Sequence, residues 1–99
     1  AKPVFADVDK LTGNIDPKEI IKKITKKTKA IIPVHLHGRP CPMDKITAIA
    51  KKHKLFVMED AAHAAEAWYH GQKIGSISDM TAFSFYVTKN IATAFLAQR

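Results

Sequence analysis

Leu55-Phe56-Val57-Met58-Glu59-Asp60 is a run of four apolar residues that passes without a break into two acids. The apolar part is too short for a helix and has the composition of a strand covered by other structure. Ala30-Ile31-Ile32-Pro33-Val34 has the same character, apolar throughout, as expected of a strand covered on both faces. Between the two, the spacing predicts a helix from about Met43 to His53, with Met43, Ile46, Ile49 and Ala50 on one face. Alternating strands and helices point to parallel pairing through right-handed crossovers. Asp60 then falls at the carboxyl end of a parallel strand, where open α/β sheets bind ligands.

Toward the N-terminus, Pro3 to Val8 alternates and is predicted as a short strand, and Asp9 to Asn14 as a turn marked by Thr12-Gly13-Asn14. Asp16-Pro17-Lys18-Glu19 is a helix start, with Asp16 as N-cap, Pro17 at the first position and Glu19 at the third. Ile20, Ile21 and Ile24 form its expected buried stripe, and the helix fades by Thr25 to Thr28. His35 to Pro42 is a loop. Toward the C-terminus, Ala61 to Ala67 is expected to make a short helical turn, Trp68 to Ile74 an exposed extended piece around Gly71, and Gly75 to Asp79 a turn. Thr81 to Tyr86 is the last predicted strand. No repeat, low-complexity segment or linker divides the chain, so one unit is expected.

The chain has 99 residues and 46% hydrophobic content, ordinary for a globular segment and too high for disorder. That is enough for one small domain, but an α/β domain covered on both faces usually needs more. With no initiating methionine or leader in view, a piece of a larger soluble, cytoplasmic protein is expected. No apolar run approaches the ~20 residues that span a bilayer, so no membrane partner is predicted. The single cysteine, Cys41, excludes an internal disulfide and suits a reducing compartment. The net charge of +7 sits mostly in two lysine clusters, Lys18 to Lys29 and Lys45 to Lys54. These fall on polar helix faces without interleaved aromatics, which reads as a solvated basic surface rather than a nucleic acid site.

Phe83-Ser-Phe-Tyr-Val-Thr-Lys-Asn90 is the stretch with the most chemistry. A lysine just beyond an apolar strand is held at the edge of the core, where its amine can lose solvation and attack carbonyl compounds to form a Schiff base. Lys89 stands 29 residues after Asp60. Pyridoxal phosphate (PLP) needs both groups: a lysine for its aldehyde and a carboxylate that keeps its ring nitrogen protonated. The plainer alternatives are a strand-end or N-cap aspartate at Asp60 and a solvated turn lysine at Lys89. His35-x-His37 with Cys41 could suggest zinc, but no fourth ligand stands at a recognisable spacing, and no metal is predicted. Trp68 and Tyr69 could line a substrate entrance, although Trp68 is more often partial core. Cys41 has no activating partner in sequence, and His53 and His70 are read as surface residues.

Ala30-Ile-Ile-Pro-Val-His-Leu-His-Gly38, Met58-Glu-Asp-Ala-Ala-His-Ala64 and Phe83-Ser-Phe-Tyr-Val-Thr-Lys-Asn90, with Asp7-Val-Asp9 and Gly13-Asn-Ile-Asp16, resemble successive motifs of the sugar-nucleotide aminotransferases of the DegT/StrS group. The resemblance runs from about Ala1 to about Thr93. It implies an α/β fold with a mostly parallel sheet and flanking helices, part of the large domain of a fold-type I PLP-dependent transferase, with residues 1–99 as one partial domain. It implies PLP as cofactor, Lys89 as the Schiff-base lysine and proton shuttle, and Asp60 as the partner of the pyridine nitrogen. His63 matches a position near the cofactor's phenolic oxygen, and Ser84 matches the serine that binds its phosphate. The implied reaction moves an amino group, typically from glutamate, to a nucleotide-linked keto-sugar for cell-surface polysaccharide or secondary-metabolite biosynthesis. A homodimer is implied for the full-length family, in which the partner completes each site. A branch with histidine in place of the lysine dehydrates its sugar; Lys89 fits the aminotransferase branch. After Asn90 the family usually continues with a glycine-rich turn, whereas this chain has Ala92-Thr-Ala-Phe-Leu-Ala-Gln-Arg99. Pro42 stands where the family often has an acidic helix cap. The alternative is a non-catalytic truncated or regulatory protein that retains the motifs.

Overall fold

The computed structural model describes residues 1–85. Its first helix, α1 (Pro17–Lys23), begins where the sequence says: Asp16 is extended, its carboxylate accepts the Lys18 amide, and Pro17 occupies the first turn. The second, α2 (Met43–His53), matches the predicted bounds and ends at Lys54 in the left-handed region. Three short strands, β1 (Ala30–Ile31), β2 (Phe56–Asp60) and β5 (Met80–Ala82), form a parallel sheet with β2 in the centre. Between β2 and β5 the chain makes a small antiparallel hairpin, β3 (Trp68–Tyr69) and β4 (Gln72–Lys73), turning at His70-Gly71.

Both helices lie on one face of the sheet. Ile31 pairs with Val57, so the two side chains point the same way. They pack with Ile20 of α1, Met43, Ile46 and Ala50 of α2, and Cys41 into the main core. A smaller cluster of Ala61, Ala64 and Ile74 ties the segment after β2 to the hairpin.

Several expectations are corrected. Pro3–Val8 is not a strand: Val4 and Phe5 are exposed, and the segment makes only a Val8–Ile15 bridge, because no neighbouring strand among the described residues offers it a ladder. Its turn, Asp9–Asn14, does form, closed by the Gly13 amide on the Asp9 carbonyl. Ile21 is exposed, so the stripe of α1 narrows to Ile20 and the half-buried Ile24. Ile32 and Val34 are exposed as well; the second face of the sheet is not covered by any described element. Ala61–Ala67 forms two tight turns instead of a helical one, closed by Ala64 N–H on Ala61 O and Ala67 N–H on Ala64 O. Ile74 is buried, and β5 ends at Ala82, short of the predicted Phe83–Phe85; Tyr86 lies outside the described residues.

Candidate functional site

Parallel strands bring their carboxyl ends to one edge of the sheet, and three sequence motifs meet there. The loop after β1 carries His35, His37 and Gly38. Asp60 is the last residue of β2, His63 follows it by three positions, and Ser84 follows β5 by two. The register pairs Asp60 with Ala82 and, through an isolated bridge, with Val34.

Asp60 is half-buried at the end of the central strand. Its backbone is held on both sides of Val34: its N–H donates to Pro33 O (2.9 Å), and its C=O accepts from His35 N–H (3.1 Å). Its side-chain Oδ1 accepts the Ala62 amide at 3.1 Å. A carboxylate offers about four acceptor sites, so capacity remains for a protonated ring nitrogen. The strand-end turn and a cofactor role are therefore compatible at this residue.

His63 is exposed and its ring stacks on that of His37, with centroids 6.2 Å apart and planes 9° from parallel. His37 and Gly38 both have positive φ, 52° and 79°, which turns the loop sharply beneath His63. An open cleft of about 530 Å³ is lined by His37, Gly38, His63, Glu66 and Ala67. Asp60 and Ser84 are not among its lining residues. Ser84 is half-buried, and its hydroxyl could donate to a phosphate oxygen. Lys89, the predicted Schiff-base residue, lies outside the described residues.

The paired histidines do not make the metal site that alternation on a strand would require. The chain leaves strand geometry at His35; that ring is buried and both its nitrogens are engaged, while His37 is exposed. Among the described residues no three His, Cys, Asp or Glu side chains are grouped to hold a metal ion. Cys41 is buried, its thiol donates to Val34 O, and burial pushes its pKa up to about 12, so it is not a nucleophile at neutral pH. Trp68 is exposed rather than partial core, and Tyr69 donates its hydroxyl to Asp44 at 2.5 Å. That bond holds the Asp44 carboxyl below the usual carboxylate range.

Two buried polar residues have no local sequence signal. Asn14 bridges the N-terminal turn to the loop after β1, donating from Nδ2 to Arg39 O (2.9 Å) and accepting Leu36 N–H at Oδ1 (3.0 Å). Glu59, fully buried, receives His35 and Ser78 on its two oxygens. The available clue for Glu59 is parity: on a strand it shares the face of Val57 and not that of Asp60.

Comparison with known proteins places these features in a family. Residues 1–95 match the model of the DegT/DnrJ/EryC1/StrS aminotransferase family. A GDP-perosamine synthase of Caulobacter vibrioides is 48% identical over 94% of this chain and 25% of its own length. The structure of an aminotransferase from Psychrobacter cryohalolentis superposes with a TM-score of 0.92 and 52% identity, over 94% of this chain and 24% of that one. A putative sugar aminotransferase from Streptococcus pneumoniae in its PLP form gives a TM-score of 0.89 and 36% identity, over 95% of this chain and 28% of that one. The chain spans 24% of the length of the first curated relatives it matches.

Proposed function

Because the chain belongs to the DegT/DnrJ/EryC1/StrS aminotransferase family, we propose that it is part of a PLP-dependent enzyme that transfers an amino group to a nucleotide-linked keto-sugar. Residues 1–99 are read as part of its large domain, glutamate as the amino donor, the cytoplasm as its compartment, and a homodimer as the assembled form. No described helix is long and apolar enough to cross a membrane. The observation that carries the reading is that Asp60, His63 and Ser84 all fall at or just beyond the carboxyl ends of neighbouring parallel strands.

PLP, when bound, supplies an electron sink for the carbanion that forms at the substrate carbon. The protein's own residues do the rest. Asp60, which keeps acceptor capacity beside the Ala62 amide, would hold the proton on the ring nitrogen by hydrogen bond and opposite charge. Ser84 would bind the phosphate through its hydroxyl, and His63 would stand beside the ring near the phenolic oxygen. Lys89 would hold the cofactor through its amine and would serve as the proton shuttle at the reacting carbon.

Addition of PLP to the purified chain is expected to give an absorbance band at about 410–430 nm. Borohydride then fixes the label on Lys89, and Lys89→Ala loses the band. Label scattered over many lysines, or no band at all, would favour the non-catalytic alternative.

A further inference from the structure

The reaction described above gives Glu59 no part, yet this carboxylate is buried on the helix-covered side of β2, one residue before Asp60. Its partners define how it is held. The Cys41 amide donates to His35 Nδ1 (2.9 Å), so that nitrogen is the acceptor and the ring hydrogen sits on Nε2. Nε2 donates to Glu59 Oε2 at 2.7 Å, and the Ser78 hydroxyl donates to Oε1 at 2.6 Å. One carboxylate thus joins the loop after β1, the central strand and the approach to β5.

Two of these segments, the loop after β1 and the central strand, also hold or adjoin Asp60 and His63 of the candidate site. His35 also donates its backbone N–H to Asp60 O. Two residues further along that loop, His37 stacks on His63. At Gly38 an added Cβ would lie 2.7 Å from His63 O, so the His63 backbone rests directly on the glycine. A shift of the loop therefore reaches both Asp60 and His63. Stability alone does not call for such a network, since buried ionic groups are often replaceable by apolar ones of similar volume. Directional bonds instead fix a single arrangement.

We propose that Glu59 and His35 are positioning residues, a buried clamp that sets the loop after β1 against β2 and thereby fixes Asp60 and His63 for the cofactor. The clamp itself follows from the structure; its link to PLP rests on the function proposed above.

The test uses the full chain with Glu59→Ala, Glu59→Gln and His35→Gln, read by amide hydrogen exchange and by PLP titration. Glu59→Ala is expected to speed exchange at residues 36–38 and 61–64 by about tenfold or more, with α2 amides unchanged, and to weaken PLP by about tenfold or more. Glu59→Gln keeps an acceptor for His35 and is expected to stay within about threefold of the parent on both measures. Unchanged exchange at both segments would overturn the clamp. Equal loss of protection in α2 would reduce Glu59 to a general core residue and overturn it too, as would loosened loops with unaltered PLP affinity. Should Glu59→Ala not fold, His35→Gln keeps a donor toward Glu59 but no longer places an acceptor at the Nδ1 position that takes the Cys41 amide, and must loosen 36–38 before α2. If the parent chain binds no PLP, the proposed function fails while the exchange arms still decide the clamp.

Discussion

The two faces of the three-stranded sheet differ sharply in exposure. On one face Ile31, Val57 and Glu59 are 6%, 3% and 0% exposed beneath α1 and α2. On the other, Ile32, Phe56 and Met80 are 56%, 68% and 62% exposed. All six lie on strands or directly beside them, and neighbours in sequence go to opposite faces. Apolar composition alone therefore does not say which side chains contribute to the core. The covered face anchors the fold, while the other presents apolar surface that no described element covers, and Asp60 lies on that same side at its carboxyl end. Phe56, Met58 and Asp60 share it by parity.

The sharpest way to break this contrast is to remove packing from the covered face. Ile46 of α2 is fully buried in the main cluster, and Ile46→Ala is expected to cost about 2–5 kcal/mol through lost transfer energy and a residual cavity. Urea unfolding followed by circular dichroism measures it. A loss below about 1 kcal/mol would mean that the core is loosely packed and the two faces are not energetically distinct.

A smaller effect tests how well that face excludes water. Burial raises the Cys41 pKa from 9.0 to about 12. The folded thiol therefore keeps its proton where the unfolded one releases it, and stability falls as pH rises from about 9 toward about 12. One proton sets a limit of about 1.4 kcal/mol per pH unit. Between pH 9 and 10 the parent's urea midpoint should fall more steeply than that of Cys41→Ala. Equal slopes would place Cys41 in contact with solvent. Tyr69, also raised to about 12, contributes only from about pH 10 upward.

What could be read in advance follows the range of the interactions. Asp16, Pro17 and the Met43–His53 stripe act within a few residues, so both helices start where the sequence places them. Parallel order follows from the alternation of elements, and it carries Asp60, His63 and Ser84 to one edge. Glu59 and Asn14 are different: Glu59 meets His35 across 24 positions, and Asn14 meets Leu36 and Arg39 across 22 and 25. No local rule marks a buried acid whose partner is that distant. Pro3–Val8 shows the converse, since alternation describes a strand only when a neighbour supplies hydrogen bonds. Lys89, on which the proposed chemistry turns, lies outside the described residues.

The smallest expected change in stability lies on the open face and sharpens the contrast most directly. Phe56 begins the central strand, pairs with Ala30 and is largely exposed. Replacing it by lysine should alter unfolding free energy by less than about 0.5 kcal/mol, as at other surface positions. It should nevertheless change association, because contiguous exposed apolar groups and open strand edges draw copies together. Light scattering of the parent is expected to decrease on dilution, and Phe56→Lys to scatter less at equal concentration. A parent that stays monomeric at all concentrations would remove the association argument. A Phe56→Lys loss comparable to that of Ile46→Ala would go further: Phe56 would then be packed in the folded chain, and both faces of the sheet would support it.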